Sequence, residues 1–342
     1  MTVLDIQNLQ LQMALTHGKT PILRGVNLSI ESGETCGLVG ESGAGKTMVA
    51  KALLGILPKR VRDVRGKLLF RGQDLLALSP RHHRRLLGRD ISLIPQDPMV
   101  ALNPVQTIRW QFHAALKRHT DGSRVQLDQL AVDGLLQVSL PEPKQLLQRY
   151  PHELSGGMRQ RVLIAMAFAS KPALVVADEP TTALDVTVQK QVLSLLKRLQ
   201  SESGTAVLFV THDLGVVAKL CDTVYVMHSG RVVEHGRCEQ IIGNPQHRYT
   251  QALLNATPHF ERPAASLTPV DESVTDQLQC ELESHNPLSD SSVTHVETTQ
   301  PSPRSNSNGT SNGSTGESKV GSEHGSQHGS KNSSKHGSKG EL

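Results

Sequence analysis

The sequence predicts an α/β fold in which helices flank a largely parallel sheet. Two apolar runs, 173–177 (ALVVA) and 206–210 (AVLFV), have the continuous apolar character of strands that are buried on both faces of such a sheet. A helical pattern at 186–200 separates them and supplies the crossover that parallel neighbours need. A third apolar strand, 35–39, leads through a glycine-rich loop into a helix that starts near Lys46. This order of strand, loop and helix is typical of an α/β sheet domain.

The N-terminal segment predicts strands of a different kind. Residues 3–15 alternate between apolar and polar side chains, and 25–30 forms a second candidate strand that ends at the turn 31–34 (ESGE). Alternation is typical of antiparallel strands that have one solvated face. We therefore expect the first of these strands to be half-exposed.

Two further segments differ from the sheet domain in composition. Residues 97–153 contain amphipathic helical patterns and proline breaks but no convincing strand, which predicts an inserted helical subdomain. No aromatic residue follows Phe260, and from about residue 300 the sequence is mostly Ser, Gly, Asn, Lys and His. Such a segment buries too little apolar area to offset its ordering entropy. We predict a folded domain over 1–260 and a disordered, dispensable tail over 261–342.

Charge and composition narrow the class of protein. Of the 342 residues, 37% are hydrophobic and 20% are charged, which is enough for a sizeable core. The formal net charge is +4, and the basic residues are dispersed except for a cluster at 81–89 (RHHRRLLGR). We interpret this cluster as a solvated helix face, with a contact to phosphate or acidic lipid as the alternative.

Cysteine spacing and hydropathy indicate the compartment. The four cysteines lie far apart without a CxxC pair, so neither a disulfide framework nor a zinc site is expected, and a reducing cytoplasm is favoured. The apolar runs stop well short of the roughly 20 residues that cross a bilayer. The N-terminus lacks the layout of a signal peptide. If the protein works at a membrane, another chain is expected to hold it there.

The strongest chemical signal is the segment GESGAGKT, which fits the pattern GxxxxGK[ST] and lies between a strand and a helix. Its glycines allow backbone amides to surround phosphate oxygens at a helix N-terminus. Lys46 is predicted to reach the terminal phosphates, and the Thr47 hydroxyl to bind Mg²⁺. The whole phosphate loop is a predicted nucleotide site: Gly40, Glu41, Ser42, Gly43, Ala44, Gly45, Lys46 and Thr47.

A second signal is the buried strand that ends in Asp178 and Glu179. A solvated strand end is the alternative for such a pair on its own. Together with a complete phosphate loop, we predict that Asp178 holds Mg²⁺ and that Glu179 polarises the attacking water.

A third signal is a second glycine-rich helix start, Ser155, Gly156 and Gly157, which precedes the apolar run VLIAMAFA. Free amides at this helix N-terminus would form another anion site. One ATP needs only one phosphate loop, so the economical explanation is a composite site in which this segment caps the γ-phosphate of an ATP bound to a partner. An ordinary serine N-cap is the alternative.

The octapeptide LSGGMRQR at 154–161 resembles the signature of the ABC ATPases. Gln96 in IPQDP resembles the Q-loop glutamine that contacts Mg²⁺ and water, and Asp185 resembles the D-loop residue at the dimer interface. His212 in THD resembles the switch histidine on the γ-phosphate. The resemblance covers about 1–260 and implies a P-loop NTPase (RecA-like) core, an antiparallel β subdomain and a helical ABC subdomain.

The same resemblance implies cofactors and partners. It implies ATP and Mg²⁺, a second ABC ATPase subunit in a homo- or heterodimer, two integral membrane permease subunits and, indirectly, a solute-binding protein. It also implies a peripheral location on the cytoplasmic face of the inner membrane and no nucleic-acid partner. The permease is expected to contact residues 96–104, with Met99 and Leu102 at the contact.

Four segments resemble the branch that imports dipeptides, oligopeptides or nickel: 96–104 (QDPMVALNP), 155–162 (SGGMRQRV), 178–189 (DEPTTALDVTVQ) and 244–254 (NPQHRYTQALL). Two features depart from this branch. Met13 stands where family members have an aromatic residue on adenine, and Cys238 and Cys280 stand alone instead of in a cysteine-bearing extension.

The second departure leaves nickel uptake as an alternative to peptide uptake. The tail histidines His324, His328 and His336 are candidate nickel ligands, or else solvated polar residues. ABC ATPases that act in translation or DNA repair carry two cassettes or a long coiled-coil insert, whereas this chain has one cassette and a short insert. A P-loop kinase would not explain the signature helix or His212.

Overall fold

In a computed structural model the described residues are 1–15, 18–117, 120, 122–182 and 184–256. The predicted tail over 261–342, with the candidate nickel ligands His324, His328 and His336, lies outside these residues. The described part contains ten strands: β1 Thr2–Leu15, β2 Gly18–Glu31, β3 Thr35–Val39, β4 Val61–Phe70, β5 Gln73–Asp74, β6 Ile91–Ile94, β7 Leu174–Asp178, β8 Ala206–Thr211, β9 Thr223–His228 and β10 Arg231–Arg237.

The described part also contains eleven α-helices. They are α1 Lys46–Leu53, α2 Pro80–Leu86, α3 Pro98–Ala101, α4 Ile108–Leu116, α5 Arg124–Gln137, α6 Pro143–Leu146, α7 Gly156–Phe168, α8 Val186–Ser203, α9 Leu214–Leu220, α10 Cys238–Gly243 and α11 Arg248–Ala256. No helix among the described residues is long and apolar enough to cross a membrane.

The N-terminal strands form the predicted antiparallel sheet, in the order β2-β1-β4-β5. β1 pairs with β2 and with β4, so that Leu4 lies opposite Ile30 on one side and Phe70 on the other. The predicted second strand, 25–30, is too short, because β2 starts at Gly18 and pairs with β1 along nearly its whole length. In the added residues, 18–24 (GKTPILR), the apolar Ile22 and Leu23 are adjacent instead of alternating with polar residues, so the pattern does not predict a strand, whereas cross-strand backbone hydrogen bonds extend it there.

The larger sheet has six strands in the order β10-β9-β3-β8-β7-β6. All neighbours are parallel except β10, which runs antiparallel to β9. The three strands predicted from continuous apolar runs lie next to each other at its centre. Their carboxyl ends meet at one edge, where Val39 lies opposite Thr211 and Asp178 lies opposite Val210. This edge carries the phosphate loop and the predicted residues Asp178, Glu179, Gln96 and His212.

Both faces of the six-stranded sheet are covered by apolar cores. Leu174 and Val176 of β7 face a core shared with the antiparallel sheet and α1. Val175 and Ala177 of the same strand face a second core, formed with the helices α4, α5, α7 and α8. Because alternate side chains of one strand enter opposite cores, no position in β7 can be polar before Asp178.

The segment predicted to be helical contains α3 to α6, and no strand occurs in its described residues. These helices pack around α7, whose apolar residues Val162 and Ile164 belong to the same core. Asp128 of α5 joins two residues of α4, since its carboxylate accepts hydrogen bonds from Arg109 and lies 2.8 Å from Nε2 of His113. The helical layer is therefore braced internally by charge as well as by apolar packing.

The basic cluster lies on the surface, and three cysteines lie in the interior. The arginines of α2 and its flank are exposed, which agrees with a solvated helix face. Cys36, Cys221 and Cys238 are buried free thiols. No group of side chains that could hold a metal ion occurs among the described residues.

Candidate functional site

The phosphate loop joins β3 to α1 and requires glycine at its two ends. Gly40 has φ 150°, and a Cβ there would lie 2.2 Å from the carbonyl oxygen of Met227. Gly45 has φ 104°, and a Cβ there would lie 2.8 Å from Cδ2 of Leu23. Neither contact leaves room for a side chain, and φ of about 100° is a left-handed conformation that glycine adopts without strain. The loop is thus pressed against β9 on one side and β2 on the other.

Lys46 folds back over this loop. Its side chain is only 4% exposed, and Nζ donates hydrogen bonds to the carbonyl oxygens of Gly40 at 2.7 Å and Glu41 at 2.8 Å. Burial lowers the pKa of the ammonium group, while the carboxylates of Glu179, Asp178 and Glu41 oppose that shift. A cation is therefore held beside the loop, where a phosphate would be its strongest partner.

The loop also presents free donors. The helix α1 starts without a side-chain cap, since Gly45 is its N-cap residue. The backbone amides of Gly43, Gly45 and Lys46 donate no hydrogen bond to any other described residue. Unpaired amides at a helix N-terminus are suited to an anion.

Asp178 ends β7 with a carboxylate of which one oxygen lacks a protein partner. Its Oδ1 atom is buried and has no hydrogen-bond partner among the described residues. Burial, and after it the negative charge of Glu179, raises the pKa of the Asp178 carboxyl, against the opposing effects of Lys51, Lys46 and the Thr47 hydroxyl. A buried carboxylate oxygen without a donor, next to a threonine hydroxyl, fits the oxygen ligands that Mg²⁺ prefers.

The three residues that the sequence predicted to be catalytic lie together, with Gln96 and His212 next to the carboxylate of Glu179. Its Oε2 atom accepts a hydrogen bond from Nε2 of Gln96 at 3.1 Å and lies 3.3 Å from Nδ1 of His212. Gln96 follows β6 and His212 follows β8, on either side of β7 in the sheet. The backbone of Glu179 has φ 46°, a conformation that strains a residue with a side chain. Strain of this kind is retained where the surroundings hold the residue in place.

Sequence reasoning missed one member of this cluster. The hydroxyl of Thr182 donates a hydrogen bond to the same Oε2 atom at 3.1 Å. Its signal was present, because Thr182 belongs to the quoted segment DEPTTALDVTVQ. Nothing in the sequence indicates that the chain turns back within three residues to bring its hydroxyl to Glu179.

The signature segment lies at the start of α7 and has its own cap. The exposed Ser155 accepts a hydrogen bond from the backbone amide of Met158 at 3.3 Å. A Cβ at Gly156 would meet no atom within 4 Å, whereas one at Gly157 would lie 2.9 Å from Cγ1 of Val188. No hydrogen bond or ion pair joins residues 155–157 to the phosphate loop among the described residues. The structure of the single chain therefore does not bring the two glycine-rich segments together.

Gln160 is a second residue that the sequence analysis did not select. Fully buried in α7, it donates a hydrogen bond from Nε2 to the carbonyl oxygen of Pro180 at 2.7 Å. Pro180 directly follows Glu179, so this bond ties the signature helix to the end of β7. The sequence signal was weak, because Gln160 lies between Arg159 and Arg161 at the polar start of the helix.

The remaining predicted residues lie at the margins of the site. Asp185 caps α8 by accepting hydrogen bonds from the amides of Thr187 at 3.0 Å and Val188 at 2.9 Å. Met13 is half-buried in β1.

One part of the predicted permease contact is wrong. Leu102 is 2% exposed because it packs into the core of the helical layer, so it cannot contact another subunit. Met99 is 55% exposed and Val100 is 78% exposed, so the apolar surface of this segment lies on α3. The sulfur of Met99 also lies 3.0 Å from the Arg159 guanidinium of the signature helix.

Comparison with known proteins identifies the family. The family model for ABC transporters matches residues 23–182. A probable peptide ABC transporter ATP-binding protein of Sinorhizobium fredii is 44% identical over 278 residues, which cover 81% of this chain and 83% of that protein. The dipeptide transport ATP-binding protein DppD of Bacillus subtilis is 43% identical, over 80% of this chain and 82% of that protein.

The chain belongs to the ATP-binding proteins of ABC transporters. Solved structures agree with this family. An ATP-binding cassette that was solved as a dimer in a post-hydrolysis state with ADP and phosphate has a TM-score of 0.61 at 27% identity, covering 69% of this chain and 98% of that one. CbiO1 of Clostridium perfringens, part of an ABC transporter complex, has a TM-score of 0.61 at 26% identity, covering 71% of this chain and 91% of that one. This ABC ATP-binding protein therefore has the predicted cassette fold and is an ATPase.

A second family model corrects an expectation from the sequence. The model for the C-terminal region of oligopeptide and dipeptide transporters matches residues 233–281 of this ABC ATP-binding protein. The matched range contains both Cys238 and Cys280. The expectation that these cysteines mark a departure from the peptide branch is therefore wrong, since the region that contains them matches that branch. The match also continues beyond residue 260, where the folded domain was predicted to end.

Proposed function

We propose that the chain is the ATP-binding and ATP-hydrolysing subunit of an ABC importer for dipeptides or oligopeptides. Two of its relatives are named for peptide and dipeptide transport. The match of residues 233–281 to the oligopeptide and dipeptide C-terminal region supports the same substrate class. Nickel uptake, which the isolated cysteines and the tail histidines had left open, is not favoured, because this matched region and the named relatives are those of peptide transporters.

The observation that carries the proposal is the meeting of Gln96, Glu179 and His212 at the end of the parallel sheet, beside the phosphate loop. A carboxylate held at one oxygen by a glutamine amide is oriented to accept a proton from an attacking water. His212 is half-exposed and can reach a phosphate in front of Glu179. Lys46 and the amides of the loop would hold the β- and γ-phosphates.

Magnesium fits this site. Thr47, Asp178 and Gln96 would hold the ion, since they supply a hydroxyl, a buried unpartnered carboxylate oxygen and an amide oxygen. When bound, Mg²⁺ supplies positive charge that neutralises the phosphate oxygens. Asp178 has a raised pKa in the chain alone, and a cation beside it would lower that pKa by stabilising the carboxylate.

A second subunit would complete the site. Ser155, Gly156 and Gly157 present the exposed start of α7, which no described residue of the same chain bridges to the phosphate loop. In a dimer of two such subunits, each signature segment would cap the γ-phosphate that is held by the other subunit, and Asp185 would lie at the interface. The similar cassette solved with ADP and phosphate is a dimer, which supports this arrangement.

The membrane partners would be two permease subunits that receive α3, where Met99 and Val100 expose apolar surface next to Gln96. ABC transporter ATP-binding subunits are membrane-associated, and this one would lie on the cytoplasmic face. A solute-binding protein would deliver the peptide to the permease. Met13 would contact adenine through its thioether. This contact would contribute less binding free energy than the roughly 1–3 kcal/mol that base stacking on an aromatic ring contributes.

Reconstitution tests the proposal. The complete transporter in vesicles, with its solute-binding protein outside, is expected to hydrolyse internal ATP faster when a mixture of dipeptides and tripeptides is added. Ni²⁺ at the same concentrations serves as the competing substrate. If Ni²⁺ but not peptides stimulates ATP hydrolysis, the proposed substrate class is wrong and nickel takes its place. If the transporter does not hydrolyse ATP with any partner, the ATPase role is overturned.

A further inference from the structure

A buried tyrosine near the end of the described chain contacts the phosphate loop. The Tyr249 hydroxyl accepts a hydrogen bond from the backbone amide of Glu41 at 3.1 Å. Tyr249 is fully buried, and its ring lies 4.3 Å from that of His228. This contact joins α11, near the end of the cassette, to the second residue of the phosphate loop.

The start of α11 is anchored to the sheet. The Glu234 carboxylate of β10 accepts hydrogen bonds from the backbone amides of Gln246 at 2.7 Å and His247 at 3.1 Å. Glu234 and Tyr249 both lie within residues 233–281, the region that matches oligopeptide and dipeptide transporters. The tyrosine is therefore held in place by an element outside the 23–182 range that matches the ABC transporter model.

Glu41 is held from both sides of its peptide group. Its carbonyl oxygen accepts hydrogen bonds from Nζ of Lys46 at 2.8 Å and from the amide of Ala44 at 3.2 Å. A bound phosphate attracts the Lys46 ammonium and competes with the carbonyl for it. When Lys46 turns to the phosphate, the Tyr249 hydroxyl remains as the side-chain contact that orients this turn of the loop.

The Tyr249 hydroxyl is suited to a permanent role. Burial raises its pKa to about 12, so the group stays neutral at every physiological pH. Its oxygen can then accept from the Glu41 amide whatever the pH. Because the bond forms between a buried ring and a backbone amide, it also costs little side-chain entropy when ATP binds.

We infer that Tyr249 is a positioning residue for the phosphate loop, through which the C-terminal region of the cassette sets the affinity for nucleotide. The inference rests on the proposed ATP-binding function. A fixed Glu41 amide keeps the backbone amides that follow it in the loop directed at the phosphate position. Less of the loop must therefore become ordered when ATP binds. Tyr249 does not touch the reacting atoms.

The test removes only the hydroxyl. Tyr249→Phe keeps the ring against His228, and it is expected to weaken ATP binding about three- to tenfold, the effect of one backbone hydrogen bond. The measurement is isothermal titration calorimetry of the full chain with ATP and Mg²⁺, in the Glu179→Gln background so that ATP is not consumed. Amide exchange of the Glu41 peptide, followed by mass spectrometry without nucleotide, is expected to be faster in the variant.

The chain provides a matched control in Tyr225. This tyrosine is also buried, its ring stacks on His235 at 5.2 Å, and its hydroxyl accepts the amide of Ser29 at 3.1 Å, away from the phosphate loop. Tyr225→Phe is expected to lose similar stability and to bind ATP as the unmodified protein does.

The outcomes separate this inference from the proposed function. Equal ATP affinity in Tyr249→Phe and the unmodified protein overturns the inference and leaves the proposed function intact. Equal weakening in both tyrosine variants also overturns it, since the effect would then reflect stability. If Tyr249→Phe does not fold, unprotected exchange of the Glu41 amide in the unmodified protein overturns it. Failure of the unmodified protein to bind ATP overturns the proposed function and this inference together.

Discussion

The chain contains two glycine-rich helix starts, and they differ in nearly every structural respect. The start of α1 is enclosed, with Lys46 buried, Gly45 in a left-handed conformation and no side-chain cap. The start of α7 is open, with Ser155 exposed and acting as an ordinary cap for Met158. An enclosed start with free amides can bind an anion within one chain, whereas an open and capped start needs a surface brought to it. One half of the proposed nucleotide site is therefore preformed within the single chain, and we propose that assembly with a partner supplies the other half.

The largest effect is expected within the enclosed region. Glu179→Gln keeps the shape of the side chain but removes the base, so the hydrolysis rate is expected to fall about 10²–10⁴-fold while ATP still binds. Phosphate release by the complete transporter measures the rate, and calorimetry measures the binding. Near-normal turnover in this variant would contradict the role that we give Glu179.

The next largest effect is expected from the open region, and it tests whether that region acts on a partner. In a mixed dimer that carries one Ser155→Leu subunit, the affected ATP site should be the one whose phosphate loop belongs to the unmodified subunit. Losing donors to a charged phosphate should cost about 10- to 100-fold in turnover at that site. Nucleotide crosslinking to each subunit separately identifies the site.

Ser123→Leu is the matched control for the Ser155 variant. Ser123 is also an exposed serine N-cap, and it accepts the amide of Gln126 at 3.4 Å at the start of α5. The Ser123→Leu variant should lose about the same stability from the missing helix cap, and neither ATP site should be affected. Damage confined to the phosphate loop of the Ser155→Leu subunit itself would refute the composite site.

Alanine substitutions of Gly45 and Gly156 compare the two helix starts through the free energy of unfolding. Gly45→Ala places a Cβ at φ 104° and 2.8 Å from Leu23, so the free energy of unfolding should fall by about 1–3 kcal/mol. Gly156→Ala meets open space at a helix start, so stability should change by no more than about 1 kcal/mol. Urea unfolding of the two variants measures the difference. Equal destabilisation would mean that the two helix starts are equally enclosed.

The smallest effect concerns the buried carboxylate of Asp178. Because its pKa is raised on folding, the carboxyl is protonated in both folded and unfolded chains at low pH and costs nothing there. As the pH rises from the ordinary pKa to the raised one, the unfolded chain ionises first and folding stability falls. Without nucleotide or Mg²⁺, Asp178→Asn should therefore melt a few degrees higher than the unmodified protein at about pH 7.5, and the difference should shrink towards about pH 4.

Thermal unfolding at several pH values, with Asp133→Asn as an exposed control, measures this effect. A constant difference across the pH range would show that burial of the Asp178 charge does not destabilise the chain. Adding ATP and Mg²⁺ should reverse the ranking, since only the aspartate supplies a charged ligand.

Local sequence was sufficient to predict the central strands and the phosphate loop. β3, β7 and β8 are buried on both faces, so their composition alone distinguishes them, and the loop chemistry lies within eight consecutive residues. The strands β6 and β10 were not predicted. β6 has only four residues, and β10 is half-exposed, so neither carries a periodic pattern long enough to recognise.

The sequence by itself determined which side chains could do chemistry, because phosphate binding and water activation need particular groups at short spacings. Only the tertiary structure decided which of them act together. Glu179 contacts Gln96 and His212 because β6, β7 and β8 are neighbours in the sheet. The order of strands in a sheet cannot be predicted from the sequence of any one segment. Tyr249 reaches Glu41 for the same reason, since α11 returns to the loop from the far end of the cassette. Contacts between distant segments depend on the packing of the whole core, which selects one arrangement among many that local patterns permit.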